Sequence, residues 1–107
     1  MYIVRVKLVG RDKLTDFAKK HPQARGPIKA WVAEVEAAVW TTMANIKARF
    51  PHASILADNH VVFNLGGNKY RLETIMVFAS GVVVVLRIGT HAEYDRWETR
   101  KQKKGRR

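Results

Sequence analysis

Apolar and polar positions alternate along the first nine residues. Ile3, Arg5, Lys7 and Val9 fall on one side, and Tyr2, Val4, Val6 and Leu8 on the other. A period of two with one clean apolar side predicts a short strand over 1–9, broken at Gly10. The period then lengthens. Asp12 is placed to cap a helix that turns Leu14, Phe17 and Ala18 toward a core. Pro22 and the Gly26-Pro27 pair mark a connection. Beyond it Ile28, Trp31, Val32, Val35, Val39, Met43 and Ile46 recur at steps of three or four. That is one apolar face at helical period, and it predicts a longer second helix closed by Phe50-Pro51.

Strand-like patterning returns after Pro51. Residues 53–57 form a weak candidate, 60–65 a better one and 69–78 a third. Asp58-Asn59, Gly66-Gly67-Asn68 and Ser80-Gly81 have turn composition between these runs. Val82 to Leu86 is apolar on both faces, which predicts a strand at the sheet centre. Gly89 ends that run, and Thr90 or His91 opens a short helical segment through Trp97. The order is strand, two helices, an antiparallel meander of three or four strands, and a short C-terminal helix. It predicts an α+β fold with helices on one sheet face. No repeat or linker divides the chain, so we expect one domain over 1–99 followed by a basic tail at 100–107.

Length and composition narrow the function. The 107 residues suffice for one small core, and 47% hydrophobic content marks a globular chain. Cysteine is absent, which excludes a disulfide framework, a thiolate nucleophile and a zinc–thiolate site. No apolar run reaches the roughly 18 residues that span a bilayer, and the start lacks a signal-peptide layout; a cytoplasmic protein is expected. Charge is the strongest bulk signal, with 20 Lys and Arg against 9 Asp and Glu, a net +11. Seven of those basic residues lie between Arg96 and Arg107 beside the single acid Glu98, and the rest of the chain is itself basic. Such a field attracts polyanions, RNA first among them. A membrane surface fits less well, because the tail lacks the apolar residues that dip into lipid. The other reading of that tail is a frayed, solubilising end.

Candidate chemistry gathers at strand ends. On the run 69–78, alternation puts Lys69, Arg71 and Glu73 on one face and Tyr70, Leu72, Thr74, Met76 and Phe78 on the other. From alternation alone the charged set reads as an ordinary solvent face. Arg87 interrupts the most apolar run of the chain, and charges are rarely buried without a partner. It has two readings: an ion pair with Glu73 or Asp95, or a planar fork for phosphate in a groove on the open sheet face. His91 and Tyr94 stand three apart, with Asp95 next, so on a helix His91 faces both. His moves protons near neutral pH, and Tyr donates a hydrogen bond or, beside cations, acts as a base. RNA cleavage by its own 2′-hydroxyl needs a base, an acid for the leaving oxygen and cations on the pentavalent phosphate. Lys69, Arg71, Arg87, His91 and Tyr94 supply that set without a metal or other cofactor. The competing reading of His91 is a helix cap. His21, His52 and His60 have no metal-site spacing, and Gly66-Gly67 precedes a strand, so it is no P-loop. Trp97 either packs its segment or stacks on a base, and packing is the simpler expectation.

Two stretches carry a resemblance. His60-Val-Val-Phe-Asn-Leu-Gly-Gly-Asn-Lys-Tyr-Arg-Leu72 and Arg87-Ile-Gly-Thr-His-Ala-Glu-Tyr-Asp95 resemble the HigB toxins of bacterial type II toxin–antitoxin systems, members of the RelE-like mRNA interferase superfamily. The order of elements agrees over most of the chain, while 11–53 supports only the architecture. The resemblance implies a RelE-like fold and a small basic endoribonuclease that cuts mRNA on the translating ribosome. It implies a cognate HigA-type antitoxin as partner, with operator DNA reached only through the antitoxin complex, and no membrane. The positions it carries over are Asn68, Lys69, Arg71, Arg87, His91 and Tyr94. On this reading Arg71 and Arg87 bind the scissile phosphate, and His91 or Tyr94 takes the 2′-hydroxyl proton. The other, or Lys69, protonates the departing oxygen, and Asp95 orients His91. Lys19, Lys20, Lys47, Arg49, Arg96, Arg100 and Lys101 would grip RNA phosphates. A non-catalytic RNA- or ribosome-binding module is the alternative, since it shares the charge and the fold. A DNA-binding regulator is less consistent, because no helix-turn-helix pattern shows, and a purely structural protein leaves the strand-end His–Tyr pair without a use.

Overall fold

The computed structural model describes residues 5–97; the first four residues of the expected N-terminal strand, and Arg100 and Lys101 of the tail, lie outside them. Strand β1 (Lys7–Val9) leads into helix α1 (Arg11–Lys20), a 3-10 turn (Pro22–Ala24), and helices α2 (Arg25–Ala37) and α3 (Met43–Arg49). Four strands follow: β2 (Ser54–Ile55), β3 (His60–Leu65), β4 (Tyr70–Val77) and β5 (Val82–Thr90). Residues 91–97 are helical. The sheet order is β1-β5-β4-β3-β2. Strands β2 to β5 form the expected antiparallel meander, and β1 joins it parallel to β5. The sheet is therefore mixed and five-stranded, and β5 is an interior strand beside the central β4. The architecture is α+β, as the patterning predicts.

The helix expected from Ile28 to Phe50 is divided. Ala38 is extended, with ψ 154, and its carbonyl accepts from the Val6 amide at 3.1 Å. Thr42 restarts the helix with a capping box, its hydroxyl taking the Asn45 amide while the Asn45 side chain returns to the Thr42 amide. The break exchanges two side chains. Val39, in phase with Val35 on a continuous helix, is half exposed, and Trp40 is buried instead, stacked on Phe63 at 6.3 Å. Trp31 and Phe50 meet the same ring edge-on at 5.3 and 5.0 Å. Phe63 is thus the hub where all the aromatic packing of α2, the break and α3 meets the sheet.

Burial divides the sheet faces cleanly. Val61, Phe63, Leu65, Tyr70, Leu72, Met76, Val83 and Val85 join Leu14, Phe17, Ile28, Trp31 and Val35 in one core. The opposite face carries the rows Asn64–Arg71–Gly89 and Val62–Glu73–Arg87, as the register sets them side by side. A β-bulge decides where Arg87 lies. Thr74 pairs with Val85 while Glu73 pairs with Arg87, leaving Leu86 as the extra residue. Strict alternation from Val83 and Val85 would aim Arg87 into the helix-covered core. The extra residue reverses the phase, and a bulge is the standard way to re-aim a side chain within a ladder.

This second face is not a solvent face. Arg71 is 9% exposed and Glu73 2%, because the helical segment 91–97 lies over it. Helices therefore sit on both faces, which corrects the expectation that they occupy one. The close approach requires Gly89: a Cβ there would stand 2.8 Å from the Trp97 ring and 2.7 Å from Glu93 Oε1.

Candidate active site

Two chain segments build the site. The first is the turn between β3 and β4. Gly66 and Gly67 both have positive φ, 59 and 69, the left-handed backbone that glycine adopts without a Cβ clash. The turn returns the chain so that Asn64 lies opposite Arg71 and Leu65 opposite Tyr70. Asn68 and Lys69 project from it, both exposed. The second segment is the end of β5. Thr90 accepts the Glu93 amide on its hydroxyl at 3.2 Å, and Glu93 takes the Thr90 amide on its carboxylate at 2.8 Å. This capping box, Thr90-His-Ala-Glu93, starts the helical segment. Thr90 does the capping, so the cap reading of His91 is set aside.

The segments are tied together. The His91 amide donates to the Lys69 carbonyl at 3.0 Å, and Tyr70 pairs with Thr90 across the ladder. Arg71 donates from Nη1 to the carbonyls of Asn68 and Tyr70 at 3.0 and 3.3 Å, and its guanidinium lies 5.4 Å from the Tyr94 ring centre. Nε and Nη2 of Arg71 donate to no described residue. The His91 side chain is half exposed, with Nδ1 3.3 Å from Oδ2 of Asp95. That contact leaves Nε2 facing away from the carboxylate. Lys69, Arg71, His91 and Tyr94 thus converge at one end of the sheet.

Arg87 lies one row back along the same face. Its Nε donates to Glu73 Oε1 at 2.7 Å, and its guanidinium stacks 4.3 Å from the Trp97 ring centre. The ion pair with Glu73 is the structural reading of Arg87. Its Nη1 and Nη2 nonetheless donate to no described residue, and its side chain is 39% exposed, so an edge of the fork remains for an anion. Trp97 packs, between Arg87 and Gly89. Of the other cations, Arg49 is held by a two-nitrogen pair with Glu34, and Lys47 Nζ donates to the Ala53 carbonyl at 2.7 Å. Lys19, Lys20 and Arg96 are exposed. Trp97 packs, as expected; what sequence reasoning missed is that Gly89 leaves the room for it. The Thr90 capping box was readable as Thr-x-x-Glu.

Fold and site together define a small, basic α+β protein with a cationic cluster at one strand end that includes a His and a Tyr. The family model described as HigB_toxin, RelE-like toxic component of a toxin-antitoxin system, matches residues 24–97. The chain is 31% identical over 90 residues to the mRNA interferase toxin HigB of Escherichia coli (strain K12), covering 82% of this chain and 86% of that protein. The same identity and coverage relate it to the mRNA interferase HigB of Shigella flexneri. The chain belongs to the HigB toxin family of toxin–antitoxin systems. No helix among the described residues is long and apolar enough to cross a membrane.

Proposed function

We propose that this toxin is an endoribonuclease that cleaves mRNA at the residues brought together by the β3–β4 turn and the end of β5. The observation that carries the reading is the convergence of Lys69, Arg71, His91 and Tyr94 there, in a chain whose relatives are named mRNA interferases. The RNA 2′-oxygen attacks phosphorus, the bond to the 5′-oxygen breaks, and a cyclic phosphate and a 5′-hydroxyl remain. Arg71, whose Nε and Nη2 donate to no described residue, neutralises the equatorial oxygens, and Arg87 adds its charge from one row back. His91 or Tyr94 takes the 2′-hydroxyl proton; the other, or Lys69, delivers one to the departing oxygen. Asp95 orients the His91 ring through Nδ1, which leaves Nε2 for proton transfer. Preorganised cations act most strongly where charge develops in the transition state.

Asn68 and Arg96, the exposed cations Lys19 and Lys20, and Arg100 and Lys101 of the tail hold the RNA backbone; Lys47 and Arg49 contribute less, being engaged by Ala53 and Glu34. The domain is 1–99 and the tail 100–107 an accessory grip. The substrate is mRNA on the translating ribosome, so the toxin works in the cytoplasm. A HigA-type antitoxin neutralises it, and operator DNA is reached only through that complex.

The test is inducible expression in a bacterium with primer extension on a translated message. Wild type arrests growth and produces new 5′ ends; Arg71→Ala and His91→Ala variants, folded by circular dichroism, abolish both. Full toxicity in the two folded variants would remove these residues from the chemistry. Arrest without new 5′ ends would favour the non-catalytic ribosome-binding module.

A further inference from the structure

Strand β4 accompanies β5 along its whole length, but β1 pairs with it only as far as Val84. At Gly10 the chain leaves the sheet to start α1, pressed so close that a Cβ there would stand 2.8 Å from the Val85 carbonyl oxygen. From Val85 to Gly89 the outer side of β5 therefore faces no strand among the described residues. The ladder shows which backbone groups point that way. The His91 amide donates inward to the Lys69 carbonyl. Antiparallel alternation then makes Arg71–Gly89 and Glu73–Arg87 the bonded pairs and turns the N–H and C=O of Ile88 outward. The Thr90 amide, the next outward donor, is taken by Glu93. No described group bonds to Ile88 on that side. A groove of about 300 Å3 runs along this open edge, between β5 and α1. Leu86, Arg87 and Ile88, all half-buried, form one wall; Lys13 and Lys20 stand exposed on the other beside one carboxylate, Asp16.

We infer that this edge is where the antitoxin docks, by adding an extended acidic segment to the sheet beside β5. The inference rests on the neutralisation proposed above and not on the cleavage chemistry. An unpaired strand edge is a template for another strand, and in strand addition main-chain hydrogen bonds supply affinity while side chains supply specificity. Charge selects the occupant. A second copy of a chain carrying +11 brings more of the same sign. An RNA phosphate suits the lysines, but it only accepts, so it leaves the Ile88 carbonyl and the apolar side chains of Leu86 and Ile88 unmatched. An acidic strand answers all three features. Its side chains alternate between faces, so one set of carboxylates meets Lys13 and Lys20. The other reaches the Arg87 nitrogens that donate to no described residue. Because β5 runs directly into His91, a strand seated there competes with RNA for Arg87 and covers the approach to the candidate site.

The experiment is hydrogen exchange, read amide by amide by NMR, on the full-length toxin in three states: alone, with the full-length antitoxin of the same system, and with a 2′-O-methyl oligouridylate, which cannot be cut. In the antitoxin complex the Ile88 amide should exchange about tenfold more slowly or better, and with the oligonucleotide it should not. Lys13→Glu, a change on the exposed face of α1, should weaken antitoxin binding about tenfold by calorimetry while RNA cleavage persists. Protection of Ile88 together with that weakening is the expected result. A stable complex in which Ile88 exchanges as in the free toxin overturns the docking edge and leaves neutralisation standing. Undiminished binding by folded Lys13→Glu overturns the acidic occupant. Protection by the oligonucleotide and not by the antitoxin gives the groove to RNA and overturns the inference. Failure of the two proteins to bind at all removes the neutralisation reading and the docking edge with it. Protection of Ile88 by the antitoxin in a toxin that cuts no RNA supports the docking edge and removes the cleavage reading instead.

Discussion

Removing either end of the Arg87–Glu73 pair should cost different amounts, and the difference follows from burial. The Glu73 side chain is 3% exposed and that of Arg87 39%, with Nε and Oε1 2.7 Å apart. In Glu73→Gln the neutral amide still accepts from Nε, and the exposed part of the guanidinium meets water. Only the charge-assisted share is lost, about 1–2 kcal/mol after solvent screening. In Arg87→Ala a carboxylate that water barely reaches loses its guanidinium, and breaking a buried pair from that side costs about 3–5 kcal/mol. His60 Nε2 lies 3.9 Å from Oε2, and we take the lower end of that range, about 3 kcal/mol. With a urea dependence of about 1–3 kcal/mol per molar, the midpoint for Arg87→Ala falls by roughly 1–3 M, and for Glu73→Gln by about half as much. Replacing both at once, Glu73→Leu with Arg87→Met, should recover most of the loss, because an apolar pair carries no desolvation penalty. Equal losses in the two single variants, or less than about 0.5 kcal/mol for Arg87→Ala, would refute the claim that Arg87 neutralises a buried carboxylate.

Three further outcomes are expected. Gly89→Ala, which places a methyl within 2.8 Å of the Trp97 ring, should displace the segment 91–97; stability falls by about 1–3 kcal/mol, and RNA cleavage falls more than tenfold, read by denaturation and by gel. Thr90→Ala removes the hydroxyl of the capping box at about 0.5–2 kcal/mol, and cleavage should drop while Thr90→Ser retains it; equal activity in the two would show that the cap does not position His91. Phe63→Ala empties the hub of four aromatic rings at about 3–5 kcal/mol, and calorimetry should find the lowest melting temperature of the set.

Much of this was legible along the chain. The alternation at 60–65 and 70–77 separates a core face from a second face, and the structure keeps that division. Asp58-Asn59, both at positive φ, and Gly66-Gly67 turn where their composition says. Near-neighbour sterics fix such features, so a local window of sequence contains them. The two motifs with their charged and His–Tyr residues also pointed to the family before any contact was known.

The break at Ala38 was hidden, because Val39 continues the helical period perfectly, and much of what rewards leaving it comes from far along the chain: a hydrogen bond to Val6, more than thirty residues earlier, and the burial of Trp40 against Phe63. The parallel pairing of β1 with β5 joins residues some seventy-five apart and leaves no local trace. The bulge at Leu86 reversed the phase of Arg87 within a run of valines that fits either register. The covering of Arg71 and Glu73 depends on a segment twenty residues downstream finding a glycine to lie against. The sequence by itself determined most of the elements and their order, the basic character and the residues capable of chemistry. Only the tertiary structure decided which of those residues meet, because side chains acquire partners through distant packing and register, and a period of two or of three to four residues records neither.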